Sequence, residues 1–203
     1  MHSEIELVLF DLGGVLVDLR PTPFPEEWLP DGQTFDDLDW FKSDTAQQFE
    51  CGTLTPQQFA VALQRELGVK IDTRALLAEF TRWPIGLRSG AHELLISLRQ
   101  HCNLAALTNT NALHWPRLVD EFRLPPYFDA MFASHQMQLA KPDPRAFRQV
   151  SDTLGTAPER ILFFDDNAAN IAAAAALGLN GRRVTTIAQI ANGLREYGVP
   201  VGA

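Results

Sequence analysis

Carboxylates and a lysine stand at the ends of short apolar runs in this chain, and their chemistry suits phosphoryl transfer. Asp11 comes directly after the apolar run Ile5–Phe10, and the pair Asp165 and Asp166 ends another such run. Lys141 precedes a proline at the start of a predicted helix. A carboxylate that attacks phosphorus needs a cation to offset the charge of two approaching anions, and donors for the transferred oxygens. These residues therefore predict a metal-dependent mechanism with an aspartyl-phosphate intermediate.

The donors for the phosphoryl oxygens are predicted at the end of a third apolar run, Leu104–Leu107. Thr108 offers its hydroxyl there, and Asn109 offers its backbone N–H. Lys141 would balance the charge of Asp11 and of the transition state. Taken singly, Thr108 is more simply interpreted as a helix cap and Lys141 as a surface side chain. Their occurrence together with Asp11 favours the catalytic interpretation.

Three further polar residues are weaker candidates. Asn170 lies one helical turn after Asp166 and could orient a carboxylate, but a place on the helix surface is an equally good interpretation. His114 lies near Thr108 and His135 lies near Lys141, and a histidine there could protonate a leaving group. Because most such histidines are cap or surface residues, neither is predicted to be catalytic.

The apolar runs alternate with helical patterns, which indicates an α/β fold: a Rossmann-like parallel sheet with helices on both faces. The predicted strands are Ile5–Phe10, Leu104–Leu107, Met131–Ala133, Ile161–Phe164 and a last short strand that includes Arg183–Thr185. An alanine-rich helix, Asn170–Leu177, is expected to end at Gly178. Open α/β sheets bind ligands at the carboxyl ends of their strands, so the candidate residues should gather there.

Four segments resemble, in order, the motifs of the haloacid-dehalogenase-like (HAD) hydrolases. They are V-L-F-D-L-G-G-V-L-V-D at 8–18, T-N at 108–109, K-P-D-P at 141–144 and D-D-N at 165–167. The resemblance implies that Asp11 is the nucleophile and that Asp166 binds Mg²⁺ directly, with Asp165 beside it. It also implies that the backbone carbonyl of Gly13 is a metal ligand. Mg²⁺ prefers such a set of a few oxygen donors completed by waters.

The chain departs from the family pattern at Gly13, where most of the family's phosphatases carry a second Asp that protonates the leaving oxygen. General acid–base help is typically worth roughly 10²–10⁴-fold in rate. The resemblance therefore favours a phosphatase whose leaving group departs easily. The segments F-D-L-G-x-V at 10–15, T-N-T-N at 108–111 and F-F-D-D-N-x-x-N at 163–170 resemble the α-glucose-1-phosphatase branch. The expected substrate is a small phosphorylated metabolite, with a sugar 1-phosphate as the leading candidate.

Two other functions stay open. A 2-haloacid dehalogenase also lacks the second Asp, because its nucleophile attacks carbon and expels halide without a metal. The small Gly13, where those enzymes usually carry Tyr, and the acidic pair Asp165 and Asp166 argue against it. A non-catalytic member that binds a phosphorylated ligand is the third possibility, and the retention of Asp11 and Lys141 argues against that one.

The chain changes character between the first and second motifs. Prolines at 21, 23, 25 and 30 make the first part irregular. Next come an aromatic segment with Phe35, Leu38, Trp40 and Phe41, and two helices expected to begin at Thr55-Pro56 and Asp72-Thr73. The resemblance implies a helical cap inserted after the first strand. We therefore predict a catalytic core of residues 1–18 and 84–203 and a cap of residues 19–83.

Composition limits the partners and the compartment. The 203 residues carry a formal net charge of −8 and no basic cluster, so nucleic-acid binding has little electrostatic support. No apolar run approaches the length that spans a membrane, and the N-terminal stretch lacks the pattern of a secretion signal. Cys51 and Cys102 have no partner at metal-site spacing and are expected to be free thiols. These features predict a cytoplasmic protein, and they leave its oligomeric state open.

Overall fold

A five-stranded parallel sheet forms the centre of the molecule. The computed structural model describes residues 4–35, 40 and 43–201. The strands of this sheet are β1 (Leu7–Phe10), β4 (Asn103–Thr108), β5 (Ala130–Ala133), β6 (Ile161–Asp165) and β7 (Asn180–Arg183). Their spatial order is β5-β4-β1-β6-β7, so β1 is the central strand and β4 and β6 flank it in parallel register. The predicted α/β fold is confirmed.

Helices cover both faces of the sheet, as predicted. The remaining elements of the core are α4 (Ala91–Leu98), α5 (Ser134–Met137), α6 (Pro144–Leu154), α7 (Ala168–Ala176) and α8 (Ile187–Glu196). Val8 and Phe10 point to one face and pack with residues of α4 and α8. Leu7 and Leu9 point to the other face and pack with residues of α6 and α7. The apolar run of β1 is therefore continuous because both of its faces are buried.

The last strand lies elsewhere than predicted. Arg183–Thr185 was the expected position, but β7 is Asn180–Arg183 and includes only Arg183 of that segment. Hydrogen bonding to β6 and a close approach of α7 determine this edge strand. A Cβ on Gly181 would lie 3.0 Å from Ile171 Cγ2 of α7, which is a tight contact, so α7 packs closely against this strand. This strand forms through backbone pairing with β6 and its sequence is polar, so no apolar pattern marks it in the sequence.

The alanine-rich helix begins earlier than predicted. It was expected over Asn170–Leu177, but α7 is Ala168–Ala176 with Asn167 as its N-cap, whose side chain accepts a hydrogen bond from the Ala169 N–H. Gly178 follows the helix with a φ of +91°, which agrees with its predicted role at the helix end.

Where the structure describes it, the segment between β1 and α4 contains three α-helices. They are α1 (Asp44–Glu50), α2 (Pro56–Leu67) and α3 (Thr73–Thr81), and the predicted caps Thr55 and Asp72 are confirmed by their hydrogen bonds to backbone N–H groups. Phe49, Phe59 and Phe80 form the centre of a hydrophobic cluster separate from the two that flank the sheet. Trp40 belongs to it, whereas Leu38 and Phe41 of the predicted aromatic segment lie outside the described residues.

A second, two-stranded sheet joins this helical segment to the core. Its strands are β2 (Val17–Leu19) and β3 (Pro84–Leu87), which pair antiparallel. One step further along, the Arg20 N–H donates to the Trp83 carbonyl at 2.9 Å, so the chain leaves and re-enters the core at adjacent points.

Features tied to compartment are also visible in the structure. Within the described part of the chain, every helix is too short or too polar to traverse a bilayer. Cys51 and Cys102 are both free thiols, as predicted.

Candidate active site

Asp11 stands at the carboxyl end of the central strand, where the sequence predicted the nucleophile. Its backbone N–H donates to the Phe164 carbonyl at 2.9 Å. This hydrogen bond extends the pairing of β1 with β6 by one residue, so the backbone position of Asp11 is fixed by the sheet. Burial raises the pKa of Asp11 to about 7, and the charges of Asp165 and Asp166 act in the same direction, while Lys141 opposes them. Three carboxylates therefore lie close together here, and a bound cation would stabilise their charged forms.

Lys141 joins the two carboxylates from neighbouring strands. Its Nζ lies 2.6 Å from Asp165 Oδ2 and 3.0 Å from Asp11 Oδ1, and its side chain is only 1% exposed. Burial lowers the pKa of Lys141, but the two carboxylates outweigh burial and leave the pKa above its usual value. The ammonium group therefore stays charged beside Asp11.

Asn109 positions this lysine. Its Oδ1 accepts from the Lys141 N–H and its Nδ2 donates to the Lys141 carbonyl, each at 2.9 Å. The side chain thus ties the end of β4 to the residue that contacts Asp11. Sequence reasoning had assigned only the backbone N–H of Asn109, as a phosphate donor, and that assignment stays a prediction.

Asp165 and Asp166 are adjacent in sequence but differ in surroundings. Asp165 is fully buried; it accepts from Asn170 Nδ2 at 3.0 and 3.1 Å and from the Asn167 N–H at 2.8 Å. Asn170 does orient a carboxylate, as its spacing suggested. Asp166 is only partly buried and lines the pocket. Asp165 is therefore held mainly by the protein, whereas Asp166 remains available to a ligand.

Asp11, Asp165 and Asp166 each offer an oxygen to one common point. These oxygens lie within 4.8 Å of one another, in the part of the chain that the structure describes. Burial raises the pKa of Asp166, as does the neighbouring Asp165 charge, so the carboxylates repel one another without a cation. Hard oxygen donors at this spacing suit Mg²⁺.

Gly13 and Gly14 make room around this cluster in different ways. A Cβ on Gly13 would meet only Leu19 Cδ1, at an ordinary 3.5 Å. Gly14 has a φ of +75°, and a Cβ there would lie under 3.0 Å from Asp166 Oδ2 and 3.1 Å from its Cγ. Sequence reasoning singled out Gly13 and missed Gly14, although the G-G pair was a signal that the backbone bends here.

A cavity of about 490 Å³ opens above these residues. Thr108, buried at the end of β4, contributes to its wall beside Asp11 and Lys141. The helical segment contributes further lining residues: Trp40, Ala46, Gln47, Glu50 and Trp83. All seven site residues predicted from the sequence except Asp165, which lies beneath the cavity, therefore line it.

Glu50 was not anticipated from the sequence. Burial, with a smaller effect of the Asp11 charge, raises the pKa of Glu50 to about 7 against the opposing effect of Lys141. No sequence motif marks this residue, because it lies on a helix whose only connection to the core motifs is spatial.

The two histidines differ in their relation to the cavity, since His114 lines it and His135 does not. His114 Nε2 donates to the Phe80 carbonyl at 2.8 Å and its Nδ1 accepts from Asn111 Nδ2 at 3.1 Å. Burial lowers the pKa of His114 to about 4, so the ring is a neutral link between the core and α3. His135 does not line the cavity.

The fold and the site together define a class of hydrolase in which an aspartate, a lysine and an acidic pair meet at the carboxyl edge of a parallel sheet. The chain belongs to the haloacid dehalogenase-like hydrolases, because the model of that family matches residues 5–178.

Similar proteins include two curated enzymes and a solved structure. The chain is 28% identical to a sesquiterpene phosphatase, astK, of Aspergillus oryzae over 91% of this chain and 92% of that protein. It is 27% identical to a phosphorylated carbohydrates phosphatase of Thermotoga maritima over 86% and 82%. A HAD family enzyme of Bacteroides thetaiotaomicron, solved in complex with magnesium and inorganic phosphate, has a TM-score of 0.73 and 27% identity, covering 88% of this chain and 93% of that one.

Proposed function

We propose that this protein is a Mg²⁺-dependent phosphomonoester hydrolase that acts through an aspartyl-phosphate on a small phosphorylated metabolite. The observation that carries this proposal is Lys141 bridging Asp11 and Asp165 at the edge of the sheet, with Asp166 beside them. A dehalogenase needs no metal and so has no use for three clustered carboxylates. The magnesium and phosphate bound to the related Bacteroides enzyme, and the phosphatase relatives, support the same proposal.

The residues divide the chemistry between them. Asp11, Asp166 and the Gly13 carbonyl would hold Mg²⁺, with Asp165 close enough to act directly or through a water. The ion, when bound, offsets the charges of the carboxylates and of the phosphate. Asp11 attacks phosphorus with one carboxylate oxygen, and the bond to the leaving oxygen breaks. Lys141 keeps the Asp11 carboxylate oriented and charged, while Thr108 and the Asn109 N–H donate to phosphoryl oxygens.

The helical segment is proposed to be the cap, covering residues 19–83 over a core of 1–18 and 84–203. Its own hydrophobic cluster and its attachment through β2 and β3 support this division. Trp40, Trp83 and Glu50 bring its side chains to the cavity above Asp11. The cap therefore supplies the surface that meets the leaving group, and it selects the substrate.

The finer proposal for the substrate is a sugar 1-phosphate. A hemiacetal oxygen leaves more readily than an ordinary alcohol, which suits a site in which Gly13 brings no acid from the core side. Aromatic rings beside polar side chains on the cap wall suit a hydroxylated ring. The acidic chain with two free cysteines supports a cytoplasmic enzyme that works on soluble metabolites.

A screen of phosphorylated metabolites with Mg²⁺ or with chelator tests the function. We expect phosphate release that stops on chelation and returns with Mg²⁺, with sugar 1-phosphates ahead of sugar 6-phosphates. Halide release from 2-haloacids by chelated protein would establish the dehalogenase instead. Tight phosphate-analogue binding with no turnover of any ester would establish a non-catalytic binding protein.

A further inference from the structure

Two backbone contacts with the core, one at Glu50 and one at Gly52, hold Glu50 beside the active site. It is the last residue of α1, and its backbone carbonyl accepts a hydrogen bond from Ser134 Oγ at 2.6 Å. Gly52 follows with a φ of +70°, and a Cβ there would lie under 3.0 Å from the His135 carbonyl oxygen. The end of α1 is thus packed directly against the start of α5 in the core, so the position of Glu50 relative to β4 and β5 is well defined.

The Glu50 side chain lies at the cavity, and its carboxylate has no hydrogen-bond or ion-pair partner among the described residues. It lines the same cavity as Asp11 and Lys141. Among residues 4–35, 40 and 43–201, no hydrogen bond or ion pair reaches its carboxylate. The charged groups that act on it through space are Asp11 and Lys141. A partly buried carboxyl group, without a partner among the described residues and beside a reaction site, is suited to proton transfer.

The place of Glu50 in the cavity is consistent with phosphoryl transfer. Nucleophile and leaving oxygen lie on opposite sides of phosphorus, so an acid that contacts the leaving oxygen stands apart from the nucleophile. Glu50 lies outside the tight cluster of Asp11, Asp165 and Asp166 that the described residues form, and it lines the same cavity from the helical segment. An acid at position 13 would come from the core side, whereas Glu50 comes from the cap side.

Given the proposed phosphatase function, we propose that Glu50 is the general acid and base that replaces the side chain missing at Gly13. In the first step the Glu50 carboxyl gives its proton to the leaving oxygen as the bond from Asp11 to phosphorus forms and the ester bond breaks. The products are the free alcohol, the aspartyl-phosphate and the Glu50 carboxylate. In the second step this carboxylate takes a proton from water, whose oxygen attacks phosphorus. Asp11 is released, inorganic phosphate forms and Glu50 is protonated again.

The raised pKa of Glu50, about 7, is consistent with this cycle. Such a group holds its proton in a large fraction of molecules near neutral pH and still becomes a competent base once the proton has left.

A leaving-group series on Glu50→Gln tests the proposal. The substrates are 4-nitrophenyl, phenyl and benzyl phosphate, which share an aromatic ring while the acidity of the leaving oxygen falls. With Mg²⁺ present, we expect kcat/KM for benzyl phosphate to fall by roughly 10²–10⁴-fold in Glu50→Gln, because protonation of the leaving oxygen is lost. For 4-nitrophenyl phosphate, which leaves without a proton, kcat/KM should change only a few-fold. The ratio of the two substrates in one preparation does not depend on the fraction of folded protein.

Two further variants complete the test. Glu50→Asp keeps a carboxyl group and should recover part of the benzyl phosphate rate. Glu66→Gln removes an exposed carboxylate of α2, outside the cavity, and should leave the whole series unchanged. Equal losses on all three esters in Glu50→Gln, or no loss on any, would overturn the role of Glu50 while leaving the phosphatase function intact. Wild-type protein that hydrolyses none of the esters would overturn the function itself.

Discussion

Replacing Gly14 by alanine should damage the metal site although no ligand residue is itself replaced. The new Cβ would lie under 3.0 Å from Asp166 Oδ2, a distance that real Cβ contacts essentially never show. Asp166 has to move, because the new Cβ is attached directly to the backbone of residue 14 and cannot rotate away. Its neighbour Asp165 is locked by Lys141 and Asn170, so the shift falls on the Asp166 side chain.

The size of the effect follows from these distances. Ordinary Cβ contacts begin at 3.4 Å, so Oδ2 must retreat by at least ~0.4 Å. Metal sites tolerate roughly ±0.2 Å in ligand distance, and Mg²⁺ is among the more demanding ions. We therefore expect Mg²⁺ affinity to fall by roughly 10–100-fold, as when an outer partner of a metal ligand is lost. The φ of +75° adds a separate strain of about 1–2 kcal/mol to the folded state.

Measurement of activity against Mg²⁺ concentration, together with calorimetric Mg²⁺ titration, gives the affinity directly. Gly155→Ala is the matched control, because Gly155 has a φ of +64° and open space where its Cβ would stand. It should lower the free energy of unfolding by the strain alone and leave Mg²⁺ affinity unchanged. If Gly14→Ala bound Mg²⁺ like the wild type, the assignment of Asp166 as a direct ligand would be refuted.

Three other predictions follow from the same site. Asp11→Asn should abolish turnover of every ester and retain the wild-type circular dichroism spectrum, and wild-type turnover by a clean preparation would exclude Asp11 as the nucleophile. Gly13→Asp, made in the Glu50→Gln background, should raise kcat/KM for benzyl phosphate more than for 4-nitrophenyl phosphate, since its Cβ has ordinary space; a flat response would mean that a carboxylate at 13 does not reach the leaving oxygen. The pKa of His114 is about 4 when folded and 6.5 in its ordinary state, so the unfolded chain binds the proton first as pH falls and stability is lost from pH 6.5 down to about 4. Between pH 7 and pH 5, urea titrations should show that the free energy of unfolding falls by roughly 2 kcal/mol more in the wild type than in His114→Gln. Equal losses in the two proteins would mean that His114 binds its proton as readily in the folded state as in the unfolded chain.

The buried parts of the fold were predictable because burial leaves a pattern in the sequence. The four apolar runs that form β1, β4, β5 and β6 are strands covered on both faces, so they appear as continuous hydrophobic segments. β7 is an edge strand of sequence N-G-R-R, and its pairing leaves no such pattern. β2 and β3 escaped prediction because each is only three or four residues long and their pairing joins positions far apart in the chain.

The site was predictable to the extent that its residues end strands. Asp11, Thr108 and Asp165 follow or close apolar runs, so the common edge of the sheet brings them together. Asn109 was placed correctly, but the hydrogen bonds of its side chain to Lys141 depend on loop geometry that no spacing records. Glu50 shows the same limit more strongly, because only the docking of α1 on α5 brings it to the cavity.

The pairing of β2 with β3 has a consequence for how such a protein can change. Leu19 and Pro84 are partners across this small ladder, so the chain leaves the core and returns to it at adjacent points. The entropy of closing a loop grows only slowly with its length. Shortening, lengthening or exchanging the segment between these two residues should therefore leave the register of the five-stranded sheet intact. A chain of this design can change the wall that faces its cavity by exchanging one continuous stretch of sequence, while Asp11, Lys141 and Asp166 of the core remain where they are.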